Sequence, residues 1–223
     1  RFIIKGGNKL NGKIMVGGSK NSALPILAGT LLAEQGECLI ENIPDIRDID
    51  VMLDVLRELG AEVVYDKSEH RVVVKAKDVN NYKAPYELVR KMRASFLVMG
   101  PLLGRFHQAE VSLPGGCVLG ARPVDLHMRG FRSLGCEIFE GEGYMKAKAE
   151  KLKGSPVYFD RPSHTGTENI ILAAVLAEGK TTIINAACDP EVVDLVEFLN
   201  KMGAKISGAG STLLEIEGVG RLT

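Results

Sequence analysis

The 223-residue chain has no net charge, its 28 basic side chains being matched by 28 acidic ones. No global field is left to attract nucleic acid or an anionic membrane, so any anion binding must come from a local cluster. No apolar run approaches the length needed to cross a bilayer, and Arg1-Phe2-Ile3-Ile4-Lys5 is too short and too soon interrupted by glycine for a signal peptide. Cysteine is sparse. Cys38, Cys117, Cys136 and Cys188 are far apart and form no Cys-x-x-Cys pair, so neither a zinc knuckle nor a disulfide framework is indicated. These absences point to an ordinary soluble protein of the cytoplasm. What is present, 45% hydrophobic and 25% charged residues, suffices for a substantial core in one large domain or two small ones.

The sequence repeats itself. Leu59-Gly60-Ala61-Glu62-Val63, Leu134-Gly135-Cys136-Glu137-Ile138 and Met202-Gly203-Ala204-Lys205-Ile206 share one pattern, their glycines 75 and 68 residues apart. Counting back from each glycine, Met52, Val55, Leu56 and Leu59 recur as Leu195, Phe198, Leu199 and Met202, and more loosely as Met128, Phe131 and Leu134. This i, i+3, i+4, i+7 spacing predicts three helices, each ending at a glycine able to take the left-handed conformation and followed by a short β-branched run. Their starts are marked by Asp189-Pro190, by Arg122-Pro123, and by Asp45 or Asp48 as a cap. A strand is expected ahead of each helix (38–43, 109–113, 181–184) and another helix ahead of each strand (21–34, 86–104, 167–178). A hairpin should follow each glycine, most clearly at 61–75 around the polar turn Asp66-Lys67-Ser68-Glu69. With one further strand in front, such as 13–16 or 157–160, each unit is βαβαββ. No unit of that size buries its own helices, so three should pack around a common centre in an α/β fold.

Residues 114–125 form a glycine-rich loop that carries a thiol near a guanidinium. The fixed charge of Arg122 would ease proton loss from Cys117, and glycine hinges would let it approach and leave a substrate. The alternative is a small apolar residue in a buried turn; the glycines beside Cys117 and the helix start at Arg122-Pro123 favour the reactive reading. Gly17-Gly18-Ser19-Lys20-Asn21-Ser22 leads into a helix with Pro25 expected in its first turn, aiming backbone N–H groups and a lysine at one spot. That is either an anion site or a plain helix cap, since Walker spacing is absent. Arg90, Lys91, Arg93 and Arg105 fall on or near one predicted helix, with Arg122, Arg129 and Arg132 following, an arrangement that as a bare charge run is a solvated face. Arg93 differs, because Met92, Ala94 and Phe96 around it imply a partly buried guanidinium needing an anionic partner. His164, in the loop 161–167, is open to two readings, catalytic base or surface hydrogen-bonding residue. Asp189 and Glu191 are accounted for as helix caps and dipole partners.

Pro-Gly-Gly-Cys at 114–117, Gly-Ala-Arg-Pro-Val-Asp-Leu at 120–126, Lys20-Asn21 and Met92-Arg93-Ala94-Ser95 together resemble the UDP-N-acetylglucosamine enolpyruvyl transferases, and the likeness runs over essentially the whole chain. Members of that family are roughly double this length, so the chain is similar to their N-terminal half. The resemblance implies residues 1–19 as a strand segment that pairs with a second domain. It implies 20–223 as a three-repeat domain with repeats near 20–80, 81–150 and 151–217, the C-terminal domain being absent. The implied architecture is the EPSP synthase-like fold, three βαβαββ repeats forming an inside-out α/β barrel with helices within and sheets outside.

The implied reaction is transfer of enolpyruvyl from phosphoenolpyruvate to the 3-hydroxyl of UDP-N-acetylglucosamine, releasing phosphate. It is the first committed step of peptidoglycan synthesis, needing no metal or organic cofactor and no nucleic-acid or membrane partner. By resemblance Cys117 is the catalytic acid, and Lys20, Asn21 and Arg122 hold phosphoenolpyruvate. Arg93 holds the diphosphate of the nucleotide sugar, and Arg122, Pro123, Val124, Asp125, Leu126, Arg161, Pro162, Ser163 and His164 complete its site. Relatives commonly read Ser-Val-Gly-Ala-Thr where this chain has Ser163-His164-Thr165-Gly166-Thr167, so Ser163 carries over more firmly than its neighbours. An aspartate near the attacked hydroxyl and arginines beyond phosphoenolpyruvate would come from the missing half, so this chain alone is expected to fold and turn over poorly. Rival readings are a shikimate-pathway enolpyruvyl transferase, whose relatives lack such a cysteine loop, and a non-catalytic nucleotide-sugar-binding domain.

Overall fold

The computed structural model describes residues 2–90, 92–112, 124–141 and 143–223. The first unit runs α1 (Lys20–Gly29), a 3-10 turn (Thr30–Leu32), β1 (Cys38–Ile40), α2 (Arg47–Glu58), β2 (Glu62–Asp66) and β3 (Arg71–Lys75). The second comprises β4 (Lys83–Ala84), α3 (Tyr86–Val89), a 3-10 helix (Arg93–Val98), α4 (Met99–Phe106), β5 (Gln108–Ser112), α5 (Asp125–Ser133), β6 (Glu137–Gly141) and β7 (Tyr144–Lys148). The third comprises β8 (Pro156–Tyr158), α6 (His164–Ala174), β9 (Lys180–Ile184), α7 (Pro190–Lys201), β10 (Lys205–Ser207) and β11 (Leu213–Glu217). Each unit builds one sheet in one strand order: β1-β3-β2, β4-β5-β7-β6 and β8-β9-β11-β10. β4 and β8 join their sheets parallel to β5 and β9, and the other pairs are antiparallel.

Hydrophobic pattern decides which helices go to the centre. α1 and α6 are apolar on nearly every side, and a helix of that kind is stable only when surrounded. In α6 every residue from Gly166 to Ala174 is buried, and α4 packs closely along it where Gly100 and Gly104 face Leu172. α2 and α5 are amphipathic, with Met52, Val55, Leu56, Met128 and Phe131 buried. The sheets cover this helical centre from outside. Their strands alternate, Val72 and Val74 of β3, Met145 and Ala147 of β7, and Leu214 and Ile216 of β11 being buried, while Val64, Phe139 and Leu213 lie exposed. Helices inside and sheets outside is the arrangement the sequence led us to expect.

The three glycines end their helices identically. Gly60, Gly135 and Gly203 have φ of 105°, 93° and 103°, a left-handed conformation that costs glycine little. The residue after each returns a hydrogen bond to a carbonyl five positions back, Ala61 to Leu56, Cys136 to Phe131 and Ala204 to Leu199, all at 3.0 Å. The units also lock to one another in sequence. Asn81 N bonds Leu59 O, Lys153 N bonds Leu134 O and Thr223 N bonds Met202 O, while Leu222 pairs with Ala33 and so ties the third unit to the first.

Four expectations need correction. Residues 13–16 form no strand; Ile14, Met15 and Val16 are exposed and pair with nothing among the described residues, and strand propensity without a partner edge makes no strand. The helix expected over 86–104 is broken, because Met92 takes extended φ/ψ of −147° and 116°, separating α3 from the 3-10 helix that starts at Arg93. Neither Asp45 nor Asp48 caps α2; Ile46 occupies that position and Asp48 turns to Lys20. Pro25 lies in the second turn of α1, not its first, and its missing N–H removes one bond of the helix.

Candidate functional site

Four chain segments begin helices around one cavity of about 680 Å³. α1 brings Lys20 and Asn21, the 3-10 helix Arg93 and Phe96, α5 Val124 and Leu126, and α6 Ser163, His164 and Glu168. Helix starts carry unsatisfied N–H groups and the positive end of the peptide dipoles, so their convergence favours a ligand with negative charge. Ser19 and Ser163 fix the two most exact starts, accepting from Ser22 N at 3.3 Å and from Gly166 N at 3.2 Å. The volume suits a small molecule of nucleotide size.

Side-chain charge is mixed. Lys20 Nζ lies 3.0 Å from Asp48, and Arg161 lies 4.0 Å from Asp125, both pairs half exposed and each contributing about 1 kcal/mol or less. Asn21 donates to Glu191 at 3.3 Å and Ser22 to Asp194 at 2.6 Å, so the start of α7 braces the start of α1. These contacts give Glu191 a structural partner on α1 beyond the helix-dipole role read from the sequence. Deeper in, His164 Nε2 sits 3.0 Å from Glu168 Oε1, one helical turn away. The facing carboxylate raises the pKa of His164, while burial raises that of Glu168, whose side chain is only 1% exposed. Both groups thus hold their protons to higher pH than an ordinary histidine and glutamate would.

A buried histidine, His127, closes the floor. His127 is 4% exposed, stacks edge-on against Phe96 with centroids 5.4 Å apart, and bonds Asn169 at 3.0 Å and Thr165 at 3.3 Å. Burial, and to a lesser extent the nearby charge of Arg93, push its pKa down to about 4, so it is neutral in ordinary buffer.

Of the residues expected at a site, the cavity gathers Lys20, Asn21, Arg93, Val124 and Leu126, together with 161–164. Asp125 is outside its lining and faces Arg161. Cys117, Arg122 and Pro123 lie outside the described residues. Arg105 belongs elsewhere, bonding the carbonyls of Leu31, Ala76 and Lys77 as a structural clamp. The sequence reading missed Asp48 as a partner of Lys20, and His127 and Glu168 as lining residues, while Thr165, read only as a less firm neighbour of Ser163, does line the cavity. The i, i+4 spacing of His164 and Glu168 was a usable signal. His127 offered none, since its partner Asn169 is 42 residues away. None of the described thiols lines the cavity, Cys38 and Cys136 being buried with pKa pushed up to about 11 and about 12.

Comparison with known proteins adds the following. The sequence matches, over residues 4–223, the family described as EPSP synthase (3-phosphoshikimate 1-carboxyvinyltransferase). A protein of Carboxydothermus hydrogenoformans named UDP-N-acetylglucosamine 1-carboxyvinyltransferase 2 is 54% identical over 219 residues, covering 98% of this chain and 52% of that protein. The UDP-N-acetylglucosamine 1-carboxyvinyltransferase of Dichelobacter nodosus is 54% identical over 216 residues, with 97% and 51% covered. Among solved structures, the enolpyruvyl transferase NikO from Streptomyces tendae matches with a TM-score of 0.81 at 26% identity, over 96% of this chain and 50% of that one. EPSP synthase from Acinetobacter baumannii matches with a TM-score of 0.72 at 19% identity, over 95% and 48%, which concerns the fold alone. The chain spans about half the length of the curated relatives it matches. With the family's pattern present from residue 4 to residue 223 and its fold in three repeats, this chain belongs to the EPSP synthase family.

Proposed function

We propose that this chain is the nucleotide-sugar-binding half of an enzyme that moves an enolpyruvyl group from phosphoenolpyruvate to the 3-hydroxyl of UDP-N-acetylglucosamine, releasing phosphate, as the first committed step of peptidoglycan synthesis in the cytoplasm. The observation that carries the reading is the convergence of four helix starts with Lys20, Arg93 and Arg161 on one cavity. Both substrates are multiply anionic, and fixed dipoles and cations in a partly closed site stabilise such charge better than water does. The name shared by relatives at 54% identity supports the UDP-N-acetylglucosamine substrate over a shikimate one.

In this reading the hydroxyl gives its proton to a base of the second domain and adds to C2 of phosphoenolpyruvate while a proton is placed on the methylene carbon; phosphate then leaves as a proton is taken from the resulting methyl. Cys117 is the acid that delivers the first proton, and Lys20 and Arg122 neutralise the phosphate. Arg93 holds the diphosphate, and 161–164 hold the uridine. Residues 1–19 pair with the second domain, which supplies the remaining groups.

The test is reaction with an epoxide phosphonate resembling phosphoenolpyruvate, followed by peptide mapping. Cys38 and Cys136 are shielded by burial, whereas Cys188 is exposed and serves as the internal control. The expected result is one adduct, on Cys117. Equal labelling of Cys117 and Cys188 would discard an activated thiol.

A further inference from the structure

The floor of the cavity contains a hydrogen-bond relay whose direction can be worked out from its fixed ends. Gly100 N, a backbone donor, bonds Asn169 Oδ1 at 2.7 Å, and Asn169 Nδ2 donates to the backbone carbonyl of Phe96 at 3.1 Å. Both partners have only one possible role, so the amide of Asn169 has only one possible orientation. Its Nδ2 also faces His127 Nδ1 at 3.0 Å, and that nitrogen must therefore accept. A neutral imidazole with Nδ1 bare carries its proton on Nε2. Nε2 lies 3.3 Å from Thr165 Oγ1, so the threonine oxygen accepts and its own hydrogen is left to point elsewhere. Among the described residues Thr165 Oγ1 has no second hydrogen-bond partner, and Thr165 lines the cavity.

We infer that Thr165 is a specificity-determining residue whose hydroxyl is set, through Gly100, Asn169 and His127, to donate a hydrogen bond to an acceptor oxygen of the nucleotide sugar. The inference rests on the nucleotide-sugar reading above and adds to it a polarity. A ligand offering an acceptor at this point meets the hydroxyl's one hydrogen, which no described residue takes, while one of the two lone pairs on its oxygen already receives His127. His127 is then a positioning residue, acting on the ligand only through Thr165.

Two variants of His127 separate this relay from a merely structural role. Glutamine can place an N–H near the Nε2 position and keep the donor to Thr165. Asparagine can place an oxygen near the Nδ1 position and keep the acceptor for Asn169 while losing the donor. The relay predicts that UDP-N-acetylglucosamine binds His127→Gln more tightly than His127→Asn. A role confined to satisfying Asn169 predicts the reverse order, and that order would overturn the inference. Calorimetric titration of Thr165→Val should show affinity reduced by about tenfold, with Thr165→Ser within about twofold of the native chain. Unchanged affinity in Thr165→Val would refute the contact.

The tautomer is read without ligand. Nitrogen-15 shifts of His127 should show Nε2 protonated and Nδ1 bare, and a proton on Nδ1 would refute the relay alone. A native chain that binds no UDP-N-acetylglucosamine would refute the nucleotide-sugar reading, and with it the ligand contact of Thr165.

Discussion

Acidification should destabilise this protein through His127 as the pH falls below the ordinary histidine range. The imidazole has an ordinary pKa of 6.5 and is held at about 4 in the folded chain. Between those values the unfolded state binds a proton that the native state refuses, so stability falls as pH falls. The full difference corresponds to roughly 3 kcal/mol, a large share of the 5–15 kcal/mol that domains typically possess. His164 works in the opposite sense. Its folded pKa is raised, so its contribution is complete below the ordinary histidine range and is lost only as pH rises through the raised value. The carboxyl of Glu168 is raised as well, by burial, and becomes less costly as acid protonates it. A comparison with His127→Gln removes these shared effects. Urea midpoints measured from about pH 7 down to about pH 4 should show the native chain losing roughly 3 kcal/mol more than the variant. Parallel curves for the two proteins would refute the assignment of a buried neutral imidazole.

Further outcomes follow from the packing and the charges. A methyl group at Gly100 would stand 2.5 Å from the backbone oxygen of Asn169 and 2.9 Å from Leu172 Cβ. Gly100→Ala should therefore cost about 1–3 kcal/mol, read from the urea midpoint, since neither neighbour is a flexible side-chain end. At Gly104 the nearest neighbours are 3.3 Å or more away, and Gly104→Ala should cost clearly less. Arg93→Ala should weaken UDP-N-acetylglucosamine binding by about tenfold or more, while Asp48→Asn, which releases Lys20 from its 3.0 Å partner, should strengthen capture of inorganic phosphate at low salt. Titration calorimetry checks both, and unchanged affinity in Arg93→Ala would remove that residue from the site.

Much of the architecture could be read from the sequence because it is written three times. Helices that end on Gly60, Gly135 and Gly203 carry both a spacing pattern and a residue chosen for its φ, two signals that agree. What escaped was set by long-range contact. Nothing local to Met92 announces that the backbone turns extended there, yet that turn separates Arg93 from α3 and opens the wall of the cavity. Asp48 was a plausible cap by position, but α2 starts at Arg47 behind Ile46, so Asp48 lies within the first turn and pairs with Lys20 instead. Motifs led to Lys20, Arg93 and the 161–164 loop because glycine, proline and an isolated arginine are conspicuous in sequence. His127 and Asn169 are ordinary residues on two different helices, and only the fold makes a relay of them.

The central claim is that one cavity, ringed by helix starts, receives the nucleotide sugar. Amide shifts of the nitrogen-15-labelled chain on titration with UDP-N-acetylglucosamine test it most directly. The account predicts perturbations gathered at residues 20–25, 92–97, 124–127 and 161–168, with the outer sheets silent. Shifts confined to the outer faces of the sheets, or none at millimolar ligand, would contradict it.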